Sequence, residues 1–211
     1  MTSLEIIEQN EQKIVVKLKN VPLQYANALR RICLTGIPVF AIDDVVIIEN
    51  SSVLADEGIA HRLAMIPIKT DLTRFVEASN CDCRSEVGCS RCRVMLMIDS
   101  GATDTTKTVT SAELTSEDDV VKPVSDKIPI IELAPNQKVK LEAYARLGRG
   151  TEHAKWNSAT VSVLTETGNP EDHILTIETT GALTPAQIVS AGVEELAKRL
   201  DTFKQVISTL G

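Results

Sequence analysis

The stretch Pro22-Leu-Gln-Tyr-Ala-Asn-Ala-Leu-Arg-Arg-Ile-Cys-Leu-Thr-Gly-Ile-Pro38 contains the start and the stop signals of one helix. Proline is tolerated in the first turn of a helix, and Leu29, Ile32 and Cys33 recur at the spacing of one helical face. The glycine and proline at the end of the stretch stop the pattern. The sequence therefore predicts a short amphipathic helix over residues 23–35.

Strand patterns lie on both sides of this predicted helix. Before it, residues 13–19 alternate apolar and polar side chains, which is the period of a half-buried strand. After it, residues 40–49 are rich in valine and isoleucine and predict a strand that is largely buried. A second helix is expected from Asp56 to Pro67, and residues 94–165 alternate in several places between turn signals. The pattern indicates an α+β fold with a mostly β middle.

The strongest local signal lies near the C-terminus, where Thr184-Pro-Ala-Gln187 has the sequence of a capping box. It predicts the start of a long helix. An apolar stripe then recurs at steps of three or four residues, through Ile188, Gly192, Leu196, Leu200, Phe203, Ile207 and Leu210. Such a helix is roughly 40 Å long, so part of the stripe is expected to face another chain. The alternative is that the whole helix packs on its own sheet.

The composition is that of a globular protein. Of the 211 residues 43% are apolar, but no apolar run approaches the roughly 20 residues of a membrane helix. A formal net charge of −7 and an aromatic content of 3% disfavour contacts with phosphate backbones and stacked bases. The first ten residues lack the pattern of a signal peptide. We therefore expect a cytoplasmic protein without direct contact to nucleic acid or membrane.

Four of the five cysteines form a CxC pair followed by a CxxC pair: Cys81, Cys83, Cys89 and Cys92. Four thiolates close the tetrahedral shell of zinc and leave no open position for a substrate, so the spacing predicts a structural zinc site. An iron–sulfur cluster, two disulfides and free thiols are the alternatives. Arg84, Arg91 and Arg93 are expected to offset the negative charge of a zinc ion held by four thiolates. Cys33 is most simply a core residue.

Two longer stretches resemble the alpha-like subunits of cellular RNA polymerases. The first is Asn27-Ala-Leu-Arg-Arg-Ile-Cys-Leu continuing to Pro38-Val-Phe-Ala-Ile-Asp, and the second is Leu147-Gly-Arg-Gly-Thr-Glu-His-Ala-Lys-Trp156. Between them, Glu57-Gly-Ile-Ala-His-Arg-Leu-Ala-Met-Ile-Pro67 is similar to the family's helix and turn at the start of its inserted domain. The resemblance covers nearly the whole chain. The sequence is similar to the archaeal D-type alpha-like subunits and their eukaryotic third-largest-subunit counterparts, and more distantly to the bacterial alpha N-terminal domain.

The resemblance implies a discontinuous dimerisation domain, residues 1–48 and 166–211, interrupted by a mostly β insert, residues 49–165, with the cysteine cluster. It also implies a smaller alpha-like partner subunit, called L in archaea. The pair would form a platform for small assembly subunits and the two large catalytic subunits. Many archaeal relatives carry an extra ferredoxin-like domain with cysteines for a four-iron cluster, which this chain lacks. Its four cysteines instead resemble the zinc loop of the eukaryotic relatives.

Candidate partner-binding residues follow from the same resemblance. Arg30 and Arg31 are expected to dock on a large subunit, where the guanidinium fork can pair with carboxylates, although a solvated arginine pair is the alternative. The other candidates lie in the second family stretch and on the C-terminal helix: Glu152, His153, Lys155, Trp156, Ile188, Leu196, Leu200, Phe203 and Ile207.

The predicted function is a non-catalytic assembly scaffold of a DNA-directed RNA polymerase. A zinc enzyme and a zinc-binding module associated with nucleic acid are the competing hypotheses. An enzyme needs an open metal position or a convergent catalytic set, and Glu152, His153 and Lys155 lack a nucleophile spaced to complete one. A nucleic-acid module would show a basic face around the metal, whereas three arginines in a chain of charge −7 give little support.

Overall fold

The computed structural model describes residues 2–85 and 87–209, so Leu210 of the predicted stripe lies outside the described residues. The predicted α+β class is confirmed, and the first helix has the predicted bounds. None of the described helices is long and apolar enough to cross a membrane. The elements are β1 (Ser3–Gln9), β2 (Lys13–Lys19), α1 (Leu23–Thr35), β3 (Val39–Asn50), α2 (Asp56–Ala64), β4 (Arg93–Ser100), β5 (Lys107–Thr110), β6 (Thr115–Ser116), β7 (Pro129–Leu133), β8 (Val139–Gly148), β9 (Ala159–Glu166), β10 (His173–Thr179) and α3 (Pro185–Ser208).

The chain forms two compact units, one from residues 1–38 and 149–211 and the other from Val39–Gly148. These boundaries differ from the predicted ones, which placed residues 39–48 with the termini and residues 149–165 in the insert. β3 pairs along its whole length with β8, from Val39 opposite Gly148 onward, while β9 pairs with β10. The strand ladders set the boundaries, because separating paired strands would leave backbone groups without hydrogen bonds.

The first unit contains an antiparallel sheet in the order β1-β2-β10-β9. Along β2, Ile14, Val16 and Leu18 are buried, while the residues between them are partly exposed. This alternation follows from the two-residue period of a strand. α1 packs on β9 and β10, α3 packs on β2 and β10, and the two helices contact each other. The core of this unit therefore lies between the sheet and the two helices.

The predicted capping box at the start of α3 is confirmed. Thr184 Oγ1 accepts a hydrogen bond from the Gln187 backbone N–H at 3.3 Å, and Gln187 Oε1 accepts one from the Thr184 N–H at 2.9 Å. Farther along, a Cβ atom on Gly192 would lie 2.8 Å from Cys33 Sγ of α1. Gly192 thus allows the close approach of the two helices. Cys33 is buried as predicted, and burial raises the pKa of its thiol to about 12.

The second unit contains a sheet in the order β3-β8-β4-β6 and a two-stranded ribbon of β5 and β7. A contiguous core fills it, and includes Phe40, Leu63, Leu96 and Leu141. The rings of Phe40 and Phe75 meet edge to face with their centroids 5.0 Å apart. α2 packs against β3 and β7. The predicted mostly β middle of the chain is therefore present.

The prediction that β3 is largely buried is wrong beyond Ile42. Residues 39–42 are buried, but Val46 and Ile48 farther along the strand are about half exposed. Beyond Ile42, one face of the strand packs on the core, whereas the other face is open to solvent. A run of valine and isoleucine does not distinguish a strand buried on both faces from one buried on a single face.

Candidate functional site

The four clustered cysteines converge in the second unit. Cys81 follows a short 3-10 turn at Ala78–Asn80, and Cys92 directly precedes β4. A tight turn joins Cys89 to Cys92, since the backbone N–H groups of Cys92 and Arg93 both donate to the Cys89 carbonyl at 2.9 Å. The four Sγ atoms lie within 4.8 Å of one another. The chain thus brings together the complete predicted ligand set.

The sulfur spacing matches one tetrahedral ion. The Sγ separations are 3.7 Å for Cys81 and Cys89, 3.9 Å for Cys83 and Cys92, and 3.8 Å for Cys89 and Cys92. Thiolates at about 2.3 Å from a central zinc ion lie about 3.8 Å apart. All four cysteines are free, with sulfurs well beyond the roughly 2.05 Å of a disulfide bond. The four residues therefore fit a single metal ion.

Backbone groups and burial act in opposite directions on two of these thiols. The pKa of Cys89 is lowered to about 7, mainly by the Arg91 backbone N–H and also by the neighbouring cysteines. Burial raises the pKa of Cys92 to about 12, although its sulfur accepts the Cys89 backbone N–H at 3.2 Å. Metal ions bind the deprotonated thiolate, so loading of this site would release protons.

The nearby arginines also contact carboxylates. Arg93 Nη2 lies 2.9 Å from Asp44 Oδ2, and Arg91 Nη1 lies 3.8 Å from Asp82 Oδ2. Part of their positive charge is therefore balanced by carboxylates, which weakens the prediction that they offset the charge of a metal–thiolate centre.

The predicted stripe on α3 divides into a buried and an exposed half. Ile188 is fully buried against its own unit, so its predicted role in partner binding does not fit its position, and Leu196 is partly buried. Leu200, Phe203 and Ile207 are 48%, 64% and 51% exposed. The division arises because α1 and the sheet contact only the first part of this helix. The second half therefore offers an apolar surface that its own unit does not cover.

A second exposed apolar surface lies on β1, which the sequence analysis missed. Leu4 and Ile6 are about half exposed and pair with Leu18 and Val16 of β2, whose side chains are buried. Directly paired residues project on the same face of a sheet. The alternation of Leu4 and Ile6 with Glu5 was the available signal, but a bulge after Ile6 interrupts it.

The two adjacent arginines of α1 take different environments. Arg30 donates to Asn27 Oδ1 at 2.9 Å and is partly buried, which differs from a freely solvated pair. Arg31 is exposed and forms no ion pair within the described part of the chain. It lines a cleft of about 300 Å³ in the first unit, together with Leu196 and Arg199. Arg31 is therefore the better placed of the two for a carboxylate from another chain.

The second family stretch forms a short loop with a 3-10 turn at Ala154–Trp156. Glu152 and His153 are exposed, and their contacts are local: Glu152 Oε1 accepts the Arg149 N–H at 3.1 Å and His153 Nδ1 accepts the Lys155 N–H at 3.1 Å. Lys155 Nζ lies 4.2 Å from the centroid of the Trp156 ring. Trp156 is only 3% exposed, so the loop packs on it and its predicted direct contact with a partner does not fit.

Gly150 occupies a crowded point of this loop. A Cβ atom at this position would overlap Asn157 Oδ1 and lie 2.9 Å from Thr35 Cα. The absence of a side chain therefore lets the loop pass close to α1. Arg149 secures the loop through its Nη1, which donates to the Gly36 carbonyl and lies 2.8 Å from Glu195 Oε1 of α3.

Comparison with known proteins decides the family. Residues 45–168 match the family model of the RNA polymerase Rpb3/RpoA insert domain. The match covers more than half of the chain and includes all four clustered cysteines. The chain belongs to the Rpb3/RpoA family. The recognition of an alpha-like polymerase subunit family from the three quoted stretches is thereby confirmed.

Members of the Rpb3/RpoA family from archaea and a eukaryote resemble the chain over most of its length. DNA-directed RNA polymerase subunit Rpo3 of Methanosphaera stadtmanae is 44% identical over 160 residues, which is 75% of this chain and 58% of that protein. Rpo3 of Archaeoglobus fulgidus is 43% identical over 77% of this chain and 60% of that protein. DNA-directed RNA polymerase II subunit rpb3 of Dictyostelium discoideum is 38% identical over 75% and 56%. The chain thus spans under two thirds of the length of these curated relatives.

Proposed function

We propose that this chain is a non-catalytic assembly subunit of a DNA-directed RNA polymerase. It pairs with a smaller alpha-like subunit, called L in archaea, and the pair carries the small assembly subunits and the two large catalytic subunits. The observation that carries the proposal is the exposed apolar half of α3 in a member of the Rpb3/RpoA family. The first unit acts as the dimerisation domain and the second as the insert.

The second half of α3 has the character of a subunit interface. Leu200, Phe203 and Ile207 share one side of the helix at steps of three and four residues. Fully burying an exposed large apolar side chain contributes about 1.5–3 kcal/mol, and these three are each about half exposed, so covering them contributes about half of that per residue. The exposed Leu4 and Ile6 on β1 extend the apolar surface of the same unit. A partner that contributes apolar helices fits this surface.

Docking of the large subunits is proposed for the exposed polar positions of the first unit. Arg31 at the cleft beside Leu196 offers a guanidinium fork for a carboxylate of a large subunit. Glu152, His153 and Lys155 lie on the loop that packs on Trp156, and this loop presents them in a defined conformation. Arg30 supports the position of α1 on β9, because its Nη1 donates to the Ser162 carbonyl at 3.4 Å.

The metal proposed for the four cysteines is a structural zinc ion. The matching sulfur spacings support one ion, because an iron–sulfur cluster distributes its thiolates over several iron atoms. Four cysteines saturate a tetrahedral shell, which leaves no open position for a substrate or an activated water. The zinc-enzyme hypothesis is therefore disfavoured, and the chain's charge of −7 disfavours a nucleic-acid module.

Native mass spectrometry of the complex isolated with this chain tests the proposal. We expect a one-to-one pair with a smaller alpha-like subunit, larger assemblies containing the catalytic subunits, and about one zinc per chain. The purified chain alone should have no nucleotidyl transferase activity. Isolation of the chain without any other polymerase subunit, under conditions that keep the polymerase assembled, would contradict the assembly role.

A further inference from the structure

Arg93 joins the cysteine loop to the central sheet of the second unit. Its Nη1 donates to the Val87 carbonyl at 2.8 Å, and its Nη2 donates to Asp44 Oδ2 at 2.9 Å. Its guanidinium carbon lies 4.2 Å from the centroid of the Tyr144 ring. A single side chain therefore contacts the loop and two strands of the sheet.

The sheet positions these groups by strand register. Arg93 is the first residue of β4 and pairs with Arg146 of β8, while Tyr144 of β8 pairs with Asp44 of β3. A guanidinium on β4 can therefore cross the face of β8 and reach the carboxylate on β3. Arginine suits this arrangement because its rigid planar fork can donate in two directions while stacking on an aromatic ring.

The loop backbone also packs on the aliphatic part of Arg93. Gly88 has a φ angle of +83°, and a Cβ atom there would lie 3.0 Å from Arg93 Cβ and 3.3 Å from Arg93 Cδ. The side chain of Arg93 thus contacts Gly88 and hydrogen bonds to Val87, the two residues directly before Cys89. Its own backbone follows Cys92, so it touches both sides of the CxxC turn.

We propose that Arg93 is a positioning residue of the four-cysteine site. Its side chain holds Val87 and Gly88 against the sheet, so that Cys89 is preorganised for metal binding. The inference rests on the proposed metal site. Without this contact, binding would have to order the loop at the same time, and that ordering opposes affinity. Removal of a group that orients metal ligands typically weakens metal affinity about 10- to 100-fold.

The test compares Arg93→Ala with Arg91→Ala in the full chain. Arg91 carries the same charge and lies within the same turn. Among the described residues its one ion pair is a long, exposed contact with Asp82. Competition with a chromophoric zinc chelator should give about 10- to 100-fold weaker zinc binding for Arg93→Ala and less than about 2-fold for Arg91→Ala. Equal affinities of the two variants would overturn the proposal.

Two further measurements separate positioning from a general loss of structure. Arg93→Lys keeps the charge and the aliphatic stem that packs on Gly88, but it loses the fork, so we expect an affinity between those of the wild type and Arg93→Ala. Cobalt-loaded wild type and Arg93→Ala should share the absorption spectrum of a tetrahedral four-sulfur site, because Arg93 supplies no ligand. A changed spectrum would overturn a purely positioning role.

Hydrogen exchange of the metal-free chain distinguishes failure of this inference from failure of the zinc proposal. If the wild type binds no zinc, the metal assignment fails, but Arg93 must still hold the loop. The amides of Gly88 and Cys89, which donate to Ser85 O and Cys92 Sγ, should then exchange faster in Arg93→Ala than in Arg91→Ala. Unchanged exchange in Arg93→Ala would overturn the positioning role whether or not zinc binds.

Discussion

The two units of the chain differ in which part of each is left without a covering core. The unit formed by Val39–Gly148 has one contiguous buried core, and its cysteine loop contains few apolar residues. The other unit buries the first turns of α3 but leaves Leu200, Phe203 and Ile207 about half exposed. The apolar stripe of α3 is therefore core over its first turns and open surface over its second half.

The difference indicates which ligand completes each unit. An apolar surface on a regular helix is completed by another protein chain, since burial there needs only a complementary apolar face. A loop with four convergent thiols and few apolar residues is completed by a metal ion, which replaces a missing core. Substitutions that affect one unit should therefore leave the ligand of the other unit bound.

The largest effect is expected from the double substitution Leu200→Asp with Phe203→Asp. Two carboxylates on the exposed half of α3 would be buried without partners at the interface, which costs several kcal/mol and abolishes pairing of moderate affinity. Thr202→Asp with Gln205→Asp adds the same charge on the opposite side of the helix and should pair normally. Co-purification with the smaller subunit measures this, with circular dichroism to show that α3 remains folded. Full pairing of the first variant would refute the interface.

The next effect is local to the second unit. Cys89→Ser removes one of four ligands, so we expect loss of stoichiometric zinc and faster proteolysis near the loop, with pairing through α3 unchanged. Ser90→Ala, at the exposed adjacent position, should keep its zinc. Metal analysis and limited proteolysis measure these effects. Stoichiometric iron with inorganic sulfide in the wild type would instead identify an iron–sulfur cluster.

A smaller effect is expected at the crossing of α1 and α3. Gly192→Leu forces a side chain towards Cys33 Sγ and Leu29 Cδ1, which a Cβ atom alone would approach to 2.8 and 3.2 Å. Overpacking of this kind typically lowers the free energy of unfolding by about 1–3 kcal/mol. Gly168→Ala, where a Cβ atom meets nothing within 4 Å, is the control. Thermal melting measures the difference. Equal melting temperatures of the two variants would contradict the close packing of α1 and α3 at Gly192.

The smallest effect is expected at the N-cap of α3. Thr184→Ala removes the hydroxyl that accepts the Gln187 N–H, and loss of such a cap costs about 1 kcal/mol. Ser190→Ala within the same helix removes only a 3.5 Å contact with Glu194 and should change stability less. Chemical unfolding of both variants measures the difference. A loss of stability in Thr184→Ala that affects only the first unit would strengthen the evidence that the two units are stabilised separately.

Local signals in the sequence determined several elements of this protein. The bounds of α1, the capping box at Thr184 and the four-cysteine set depend on residues close together in the chain, so spacing alone predicts them. The two longer family stretches, with the segment Glu57–Pro67 between them, were enough to recognise the polymerase subunit family, because each preserves a specific order of residues.

The tertiary structure alone decided which apolar residues are covered and where the units divide. Ile188 and Phe203 occupy the same stripe, but one is buried and the other exposed, since α1 and the sheet contact only the first part of α3. Beyond Ile42, β3 is buried on a single face, and its ladder with β8 moves residues 39–48 into the second unit. Arg93 reaches Val87 and Asp44 only once three strands are in register. Burial and contact depend on residues distant along the chain, and local periodicity contains no information about which of them come together.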